Sequence, residues 1–343
     1  MLLGSLISAA FVWLFIRNIA WQSLGRTFTH VHLRYLAPAI LIYLLALLVR
    51  GVRWHFLLRS MKAVPCRFLM GSVLIGFAAN ALLPARSGEV VRAYALSRKS
   101  GVPTSTVLGS IVVERLFDGF TVLALLALSL GCVHLPAAGA PQLLSDQVLR
   151  RMGWFALALF LVIGGMLALL QWSWPRAEKL ISLALRPFRP SIRESALNLA
   201  RSFAAGLRLS RGVDLAAVVL LSVVVWLLGA ASIAALFPAF DLPFSLTKGI
   251  FSQVVIALAV MIPAAPGFLG TFHAGVAASL IALGIGATSA QSFALVLWFV
   301  NFVPVTVVGL LVAWSYGLSL RGLPAREGTR ATQSALNQEP AGR

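Results

Sequence analysis

Asn80-Ala81-Leu82-Leu83-Pro84-Ala85-Arg86-Ser87-Gly88-Glu89-Val90-Val91-Arg92 interrupts a chain that is otherwise almost continuously apolar. Pro84 removes a backbone donor and clashes with the preceding helical turn, and Gly88 weakens a helix further, so the stretch reads as a break between two helices. Arg86, Glu89 and Arg92 bring charge to the same place, and each would cost roughly 3 kcal/mol or more at the centre of a bilayer. Such groups are tolerated in a protein interior, a watery cavity or an interface.

The bilayer enters through composition. Of 343 residues 59% are hydrophobic and 11% charged, against about 25% charged in soluble domains, and the mean hydropathy is +0.92. These values define an all-α, polytopic helical membrane protein. The formal charge of +18 lies mostly between apolar segments, which ties it to membrane topology and anionic headgroups. No groove-reading module or basic-aromatic platform is present, so nucleic acid is not expected as a partner. Cys66 and Cys132 have no metal-type spacing, and no metal or cofactor is expected.

About seven to nine apolar segments can be marked, near 2–16, 35–58, 68–83, 105–131, 153–172, 213–237, 249–262, 268–284 and 289–316. The first has no basic region before it and no small-residue cleavage pattern, and reads as a retained span. A span needs about 20 apolar residues, so 68–83, 249–262 and 268–284 are short and read as broken or re-entrant helices. The expected organisation is a single transmembrane domain over 1–320, with a cytoplasmic connection at 173–212 and a disordered cytoplasmic tail at 321–343.

Orientation follows from basic residues. The connection at 173–212 carries Arg176, Lys179, Arg186, Arg189, Arg193, Arg201, Arg208 and Arg211, which places it inside, and the basic tail makes the C-terminus cytoplasmic in a bacterial inner membrane. Ile192, Ala196, Leu199, Phe203 and Leu207 recur at helical spacing, suiting a helix laid on anionic lipid or packed on the bundle. The front end is contested: Arg17, Arg26 and Arg34 claim the cytoplasm for one loop, and Arg50, Arg53, Arg59 and Lys62 claim it for the next. Whether 68–83 crosses or re-enters decides between them.

Several groups are candidates for binding an anionic headgroup. Arg50 and Arg53, followed by Trp54, share a helix face near a span end. They suit bidentate phosphate contact or ordinary interfacial anchoring. Glu114, Arg115 and Asp118 lie inside a segment that starts near Thr104, which puts Glu114 roughly 15 Å deep. They suit a polar cavity or a helix-locking network. Asn80, Arg86, Glu89 and Arg92 belong to the opening break. Its echo is Met261-Ile262-Pro263-Ala264-Ala265-Pro266-Gly267-Phe268-Leu269-Gly270-Thr271-Phe272-His273, where a glycine again follows four residues after a proline. Paired interruptions of this kind point to an internal inverted repeat around a transport site. Gly267, Gly270 and Thr271 could offer backbone amides to an anion, and His273 a titratable ring. Asn301 and Pro304 suggest a kink in the last span. No nucleotide loop, metal cluster or nucleophile elbow appears, so no catalytic residue is named and an enzyme is not expected.

Taken together, Arg50-x-x-Arg53-Trp54, Asn80-x-x-Leu83-Pro84-x-Arg86-x-Gly88-Glu89-x-x-Arg92, Glu114-Arg115-x-x-Asp118, Pro263-x-x-Pro266-Gly267-x-x-Gly270 and Asn301-x-x-Pro304 resemble the transmembrane region of lysylphosphatidylglycerol synthases, a flippase-like family. The resemblance spans about residues 5–320. It implies a multi-span inner-membrane protein linked to lipid translocation, with lipid-biosynthesis enzymes as expected neighbours. No soluble aminoacyl-transferase is read in this chain, so aminoacylation is not carried over. Many members have glutamate where His273 stands, which departs from the family pattern. The expectation is a protein that handles or translocates an anionic phospholipid, glycolipid or hopanoid-related lipid. A membrane enzyme and a non-transporting scaffold are the alternatives.

Overall fold

The computed structural model describes residues 31–59, 62–83, 87–132, 212–262 and 266–317, with scattered positions in 151–201. The expected first span, most of the 153–172 segment, most of the proposed amphipathic helix and the tail lie outside the described residues. Nine helices are described: α1 Leu36–Leu58, α2 Cys66–Leu82, α3 Gly88–Ser100, α4 Thr104–Cys132, α5 Trp174–Ala184, α6 Gly212–Leu236, α7 Leu246–Ala259, α8 Thr271–Ala282 and α9 Ala287–Ser315. No strand occurs among the described residues.

Among the described residues, three stretches are long and apolar enough to cross a membrane, Leu33–Leu58, Val213–Phe240 and Ala287–Ser315. They carry α1, α6 and α9, and Leu41, Leu220 and Leu311 on them are largely exposed, as lipid-facing residues would be. The 29 residues of α4 are also sufficient in length, but Glu114, Arg115 and Asp118 sit inside it. Shorter apolar helices cover Cys66–Leu82, Leu246–Ala259 and Pro266–Ala282, matching the three short segments expected from the sequence. Pro304 lies within α9 without ending it.

The breaks form for local reasons. Leu83 precedes Pro84 and is extended (φ −107°, ψ 147°), the conformation that a following proline favours. Chain direction then reverses, and Asn80 Oδ1 accepts the Gly88 amide at 2.8 Å. That bond satisfies one of the donors a helix N-terminus leaves open. The limbs of this hairpin touch backbone to backbone, because a Cβ on Gly88 would meet the Gly76 carbonyl and the Asn80 side chain. In the second break Gly267 adopts φ 67°, a left-handed turn that glycine makes without steric cost. At the tips the hairpins meet: a Cβ on Gly267 would lie 3.4 Å from the Ala81 carbonyl oxygen.

Contacts at the helix ends fix the directions. Arg59, after α1, lies 3.5 Å from Asp214 at the start of α6. At the opposite end, Ser232 Oγ donates to Ala39 O at 2.8 Å and His32 lies 3.1 Å from Asp241. α1 and α6 are therefore antiparallel. The first hairpin enters and leaves at the Arg59 end, where Lys62 Nζ donates to Ser100 O at 2.5 Å and the Tyr316 hydroxyl donates to Arg67 O at 3.2 Å. The second hairpin belongs to the other end, where Leu280 and Phe293 share a core cluster with Ala39 and Phe237. The segment at 68–83 and its return limb thus form a hairpin that begins and finishes at the Arg59 end of α1, with Arg34 at the opposite end.

Candidate functional site

Between α1, α3, α4 and α6 lies a charged cluster, enclosed by the apolar core that includes Leu57, Leu96, Val107 and Val218. Its centre is Arg53, whose side chain is fully buried. Arg53 Nη2 donates to Glu114 Oε1 at 2.7 Å, and Nη1 donates to Asp118 Oδ1 at 2.6 Å and to Ser222 Oγ at 2.9 Å. Helical spacing puts Glu114 and Asp118 on one face of α4, so a single guanidinium from α1 spans both carboxylates. Arg50, one turn before Arg53, lies 3.1 Å from Asp118 Oδ2 and 3.6 Å from Glu114 Oε1.

Arg92 comes from α3. Its Nη2 lies 2.8 Å from Glu114 Oε2, and its guanidinium sits 3.6 Å above the Trp54 ring. Trp54 is fixed in turn by its Nε1, which donates to Ser110 Oγ at 3.0 Å. Trp226 Nε1 adds a 3.1 Å bond to Asp118 Oδ1 from α6. Charges so buried are tolerated because each of these two carboxylates faces three guanidinium groups, which offset the loss of solvation.

The periphery differs from the centre. Arg115 points to the open side of α4, 43% exposed, with Asp118 Oδ2 at 3.4 Å and Glu89 Oε1 of α3 at 3.9 Å. Arg115 stands about 15 Å along α4 from its start, and with Glu89 it brings charge to the open side of the two helices.

Of the residues proposed from sequence, Arg50, Arg53, Glu89, Arg92, Glu114, Arg115 and Asp118 converge in this cluster. Asn80 caps the hairpin beside it. Arg86, with Pro84 and Pro263, lies outside the described residues. The alternative of Arg53 and Trp54 as interfacial anchors is corrected: both are fully buried and turned inward, because the carboxylates of α4 outcompete the interface. The i,i+3 pair of Arg115 and Asp118 exists, but the shorter bonds to Asp118 come from α1.

Gly267, Gly270 and His273 are placed apart from these ion pairs, at the tip of the second hairpin. His273 is 3% exposed and stacks on Trp298, which stacks on Phe302. Trp298 Nε1 donates to Gly267 O at 2.8 Å. Aromatic rings thus cover this tip. Sequence reading missed Ser110, Ser222, Trp226 and Trp298; the signal for Ser222 and Trp226 was their i,i+4 spacing on an otherwise apolar helix.

A helical membrane protein with paired helix breaks and a buried ion cluster is the class this architecture defines. The chain belongs to the lysylphosphatidylglycerol synthase TM region family, which it matches over residues 1–309. It is 27% identical over 256 residues to a UPF0104 membrane protein of Methanothermobacter thermautotrophicus, covering 71% of this chain and 72% of that protein. No solved structure matches the chain.

Proposed function

We propose that the protein is a lipid carrier that passes a polar headgroup across the membrane along the face between α3 and α4. The observation that carries this reading is the Glu89–Arg115 pair, two partly exposed charges on the side of an apolar helix bundle, where lipid tails alone would penalise them. Water or a polar headgroup has to reach them. Membership of a flippase-like family supports the same direction.

The two sets α1–α4 and α6–α9 support an inverted repeat. In each, a long helix is followed by two short helices around a break and then by a 29-residue helix. Packing corresponds as well: α2 lies on α9 as α7 lies on α4, and α4 meets α6 as α9 meets α1. With α1 and α6 antiparallel, the hairpins enter from opposite ends and meet tip to tip, an arrangement compatible with alternating access by inverted repeats. Arg59, Lys62, Arg67, Arg98 and Lys99 gather at the end where Tyr316 closes α9, so that end is cytoplasmic by the positive-inside rule. The chemistry is transfer rather than catalysis, with lipid as the partner and no cofactor.

Reconstituted into liposomes, the purified protein is expected to speed leaflet exchange of labelled phospholipid, with Arg115→Ala slowing it about tenfold, equivalent to ~1.4 kcal/mol. Equal rates for protein-free liposomes, wild type and Arg115→Ala would sink the carrier reading. A scaffold reading has one observation in its favour, the closed Arg53–Glu114 core, and predicts that unchanged rate.

A further inference from the structure

The cluster is not electrically balanced. Among the described residues, the guanidinium groups of Arg50, Arg53, Arg92 and Arg115 face the carboxylates of Glu89, Glu114 and Asp118, an excess of one positive charge. Low-dielectric surroundings make such an excess costly unless an anion completes it. Donors without a hydrogen-bond partner occur on Arg50, Arg53 and Arg92 too, but those side chains are buried, whereas Arg115 is 43% exposed and reaches Asp118 at 3.4 Å and Glu89 at 3.9 Å. Those last separations exceed the hydrogen-bond range, so Arg115 retains donor capacity. Glu89 is no better satisfied: its Oε2 is buried and has no hydrogen-bond partner. It also sits in the first turn of α3, where the helix N-terminus favours a negative charge.

Resting on the carrier reading above, we infer that Glu89 occupies the place of a headgroup phosphate on Arg115, and that the site takes a lipid whose headgroup is a singly charged phosphodiester. Two phosphodiester oxygens match the planar fork of Arg115. One negative charge neutralises the excess, and the headgroup displaces Glu89 from a contact already too long to be strong. A zwitterionic headgroup brings a second cation into a positive site, and a neutral one leaves the excess uncompensated. Arg115 is on this account the residue that selects the headgroup, and Glu89 its internal competitor.

The test uses the full chain in detergent micelles, with binding of dioctanoyl lipids followed by native mass spectrometry. The probes are phosphatidylmethanol (a bare phosphodiester monoanion), phosphatidylcholine, diacylglycerol and the soluble diester glycerophosphomethanol. Phosphatidylmethanol is expected to bind about tenfold more tightly than the other two lipids, a difference of ~1.4 kcal/mol. Arg115→Gln erases that preference, and Arg115→Lys restores part of it. Glu89→Gln tightens phosphatidylmethanol binding about two- to fivefold, the range an exposed ion pair spans. The sign is diagnostic, since a purely structural Glu89 would weaken binding when neutralised. Glycerophosphomethanol binding as tightly as the lipid would identify a free-phosphate site and overturn the lipid assignment. Equal affinity for the three lipids, or weaker binding in Glu89→Gln, overturns the proposal. Leaflet exchange of both charged and zwitterionic lipids without this selectivity would leave the carrier standing and remove the headgroup assignment. Selective binding with no exchange would do the reverse.

Discussion

Arg53 joins two carboxylates of α4 and a hydroxyl of α6 to α1 through one guanidinium with no exposed surface. Removing one partner of such a buried set strands the others without solvent, at a cost of about 3–5 kcal/mol. Arg53→Met is therefore expected to lower the thermal midpoint of the purified protein sharply, read by the loss of monodisperse protein on heating. Arg115 makes the opposite prediction. Its pair with Glu89 is long and partly exposed, so Arg115→Ala should change stability by less than about 1 kcal/mol while abolishing the headgroup preference. If both variants destabilise equally, the division into a locking centre and a working edge is wrong. Sequence spacing exposed only part of this division. Glu114 and Asp118 were legible as one face of a helix at depth, but Arg53 and Arg115 are both arginines on apolar helices. What separates them is which neighbour covers each, and that depends on Ser222 and Trp226 of α6, more than a hundred residues away from either.

At the scale of elements, the first hairpin depends on the close approach of its limbs. A Cβ at Gly88 would collide with the Gly76 carbonyl, and that atom is backbone, which cannot swing aside. Gly88→Leu is expected to separate α3 from α2 and carry Arg92 away from Glu114, with a loss of at least about 2 kcal/mol from strain and an unpaired buried charge. Val90→Leu, at a 47% exposed position two residues on, should be neutral in the same thermal assay; equal losses would refute the close-packing argument. The break itself was legible because proline and glycine act locally through the backbone. The direction of the returning limb was not, since the hairpin's return is fixed by contacts such as Lys62 with Ser100 and Tyr316 with Arg67. The second break shows the same limit in another form. Its glycines announced a turn, yet the aromatic cover from Trp298 and Phe302 comes from α9 and left no mark on the motif.

Across the whole molecule, the antiparallel packing of α1 on α6 makes a statement about sidedness that can be checked without knowing the lipid. Lys62 and Lys99 flank the first hairpin and are both exposed at the Arg59 end, while Asp241 is exposed at the other. A hairpin that re-enters puts Lys62 and Lys99 on one face of the membrane; a helix pair that crosses would put them on opposite faces. In a background with Cys66 and Cys132 replaced by serine, Lys62→Cys and Lys99→Cys should resist a membrane-impermeant maleimide in intact cells and react after permeabilisation. Asp241→Cys should react from outside at once. The distinction matters mechanistically, because only re-entry from both ends brings the tip at Ala81 against the tip at Gly267. A carrier built this way can open one end by withdrawing one hairpin while the charged centre, anchored on α1 and α4, stays in place. Labelling of Lys62→Cys and Lys99→Cys from opposite sides would remove that possibility, and with it the inverted arrangement of the two halves.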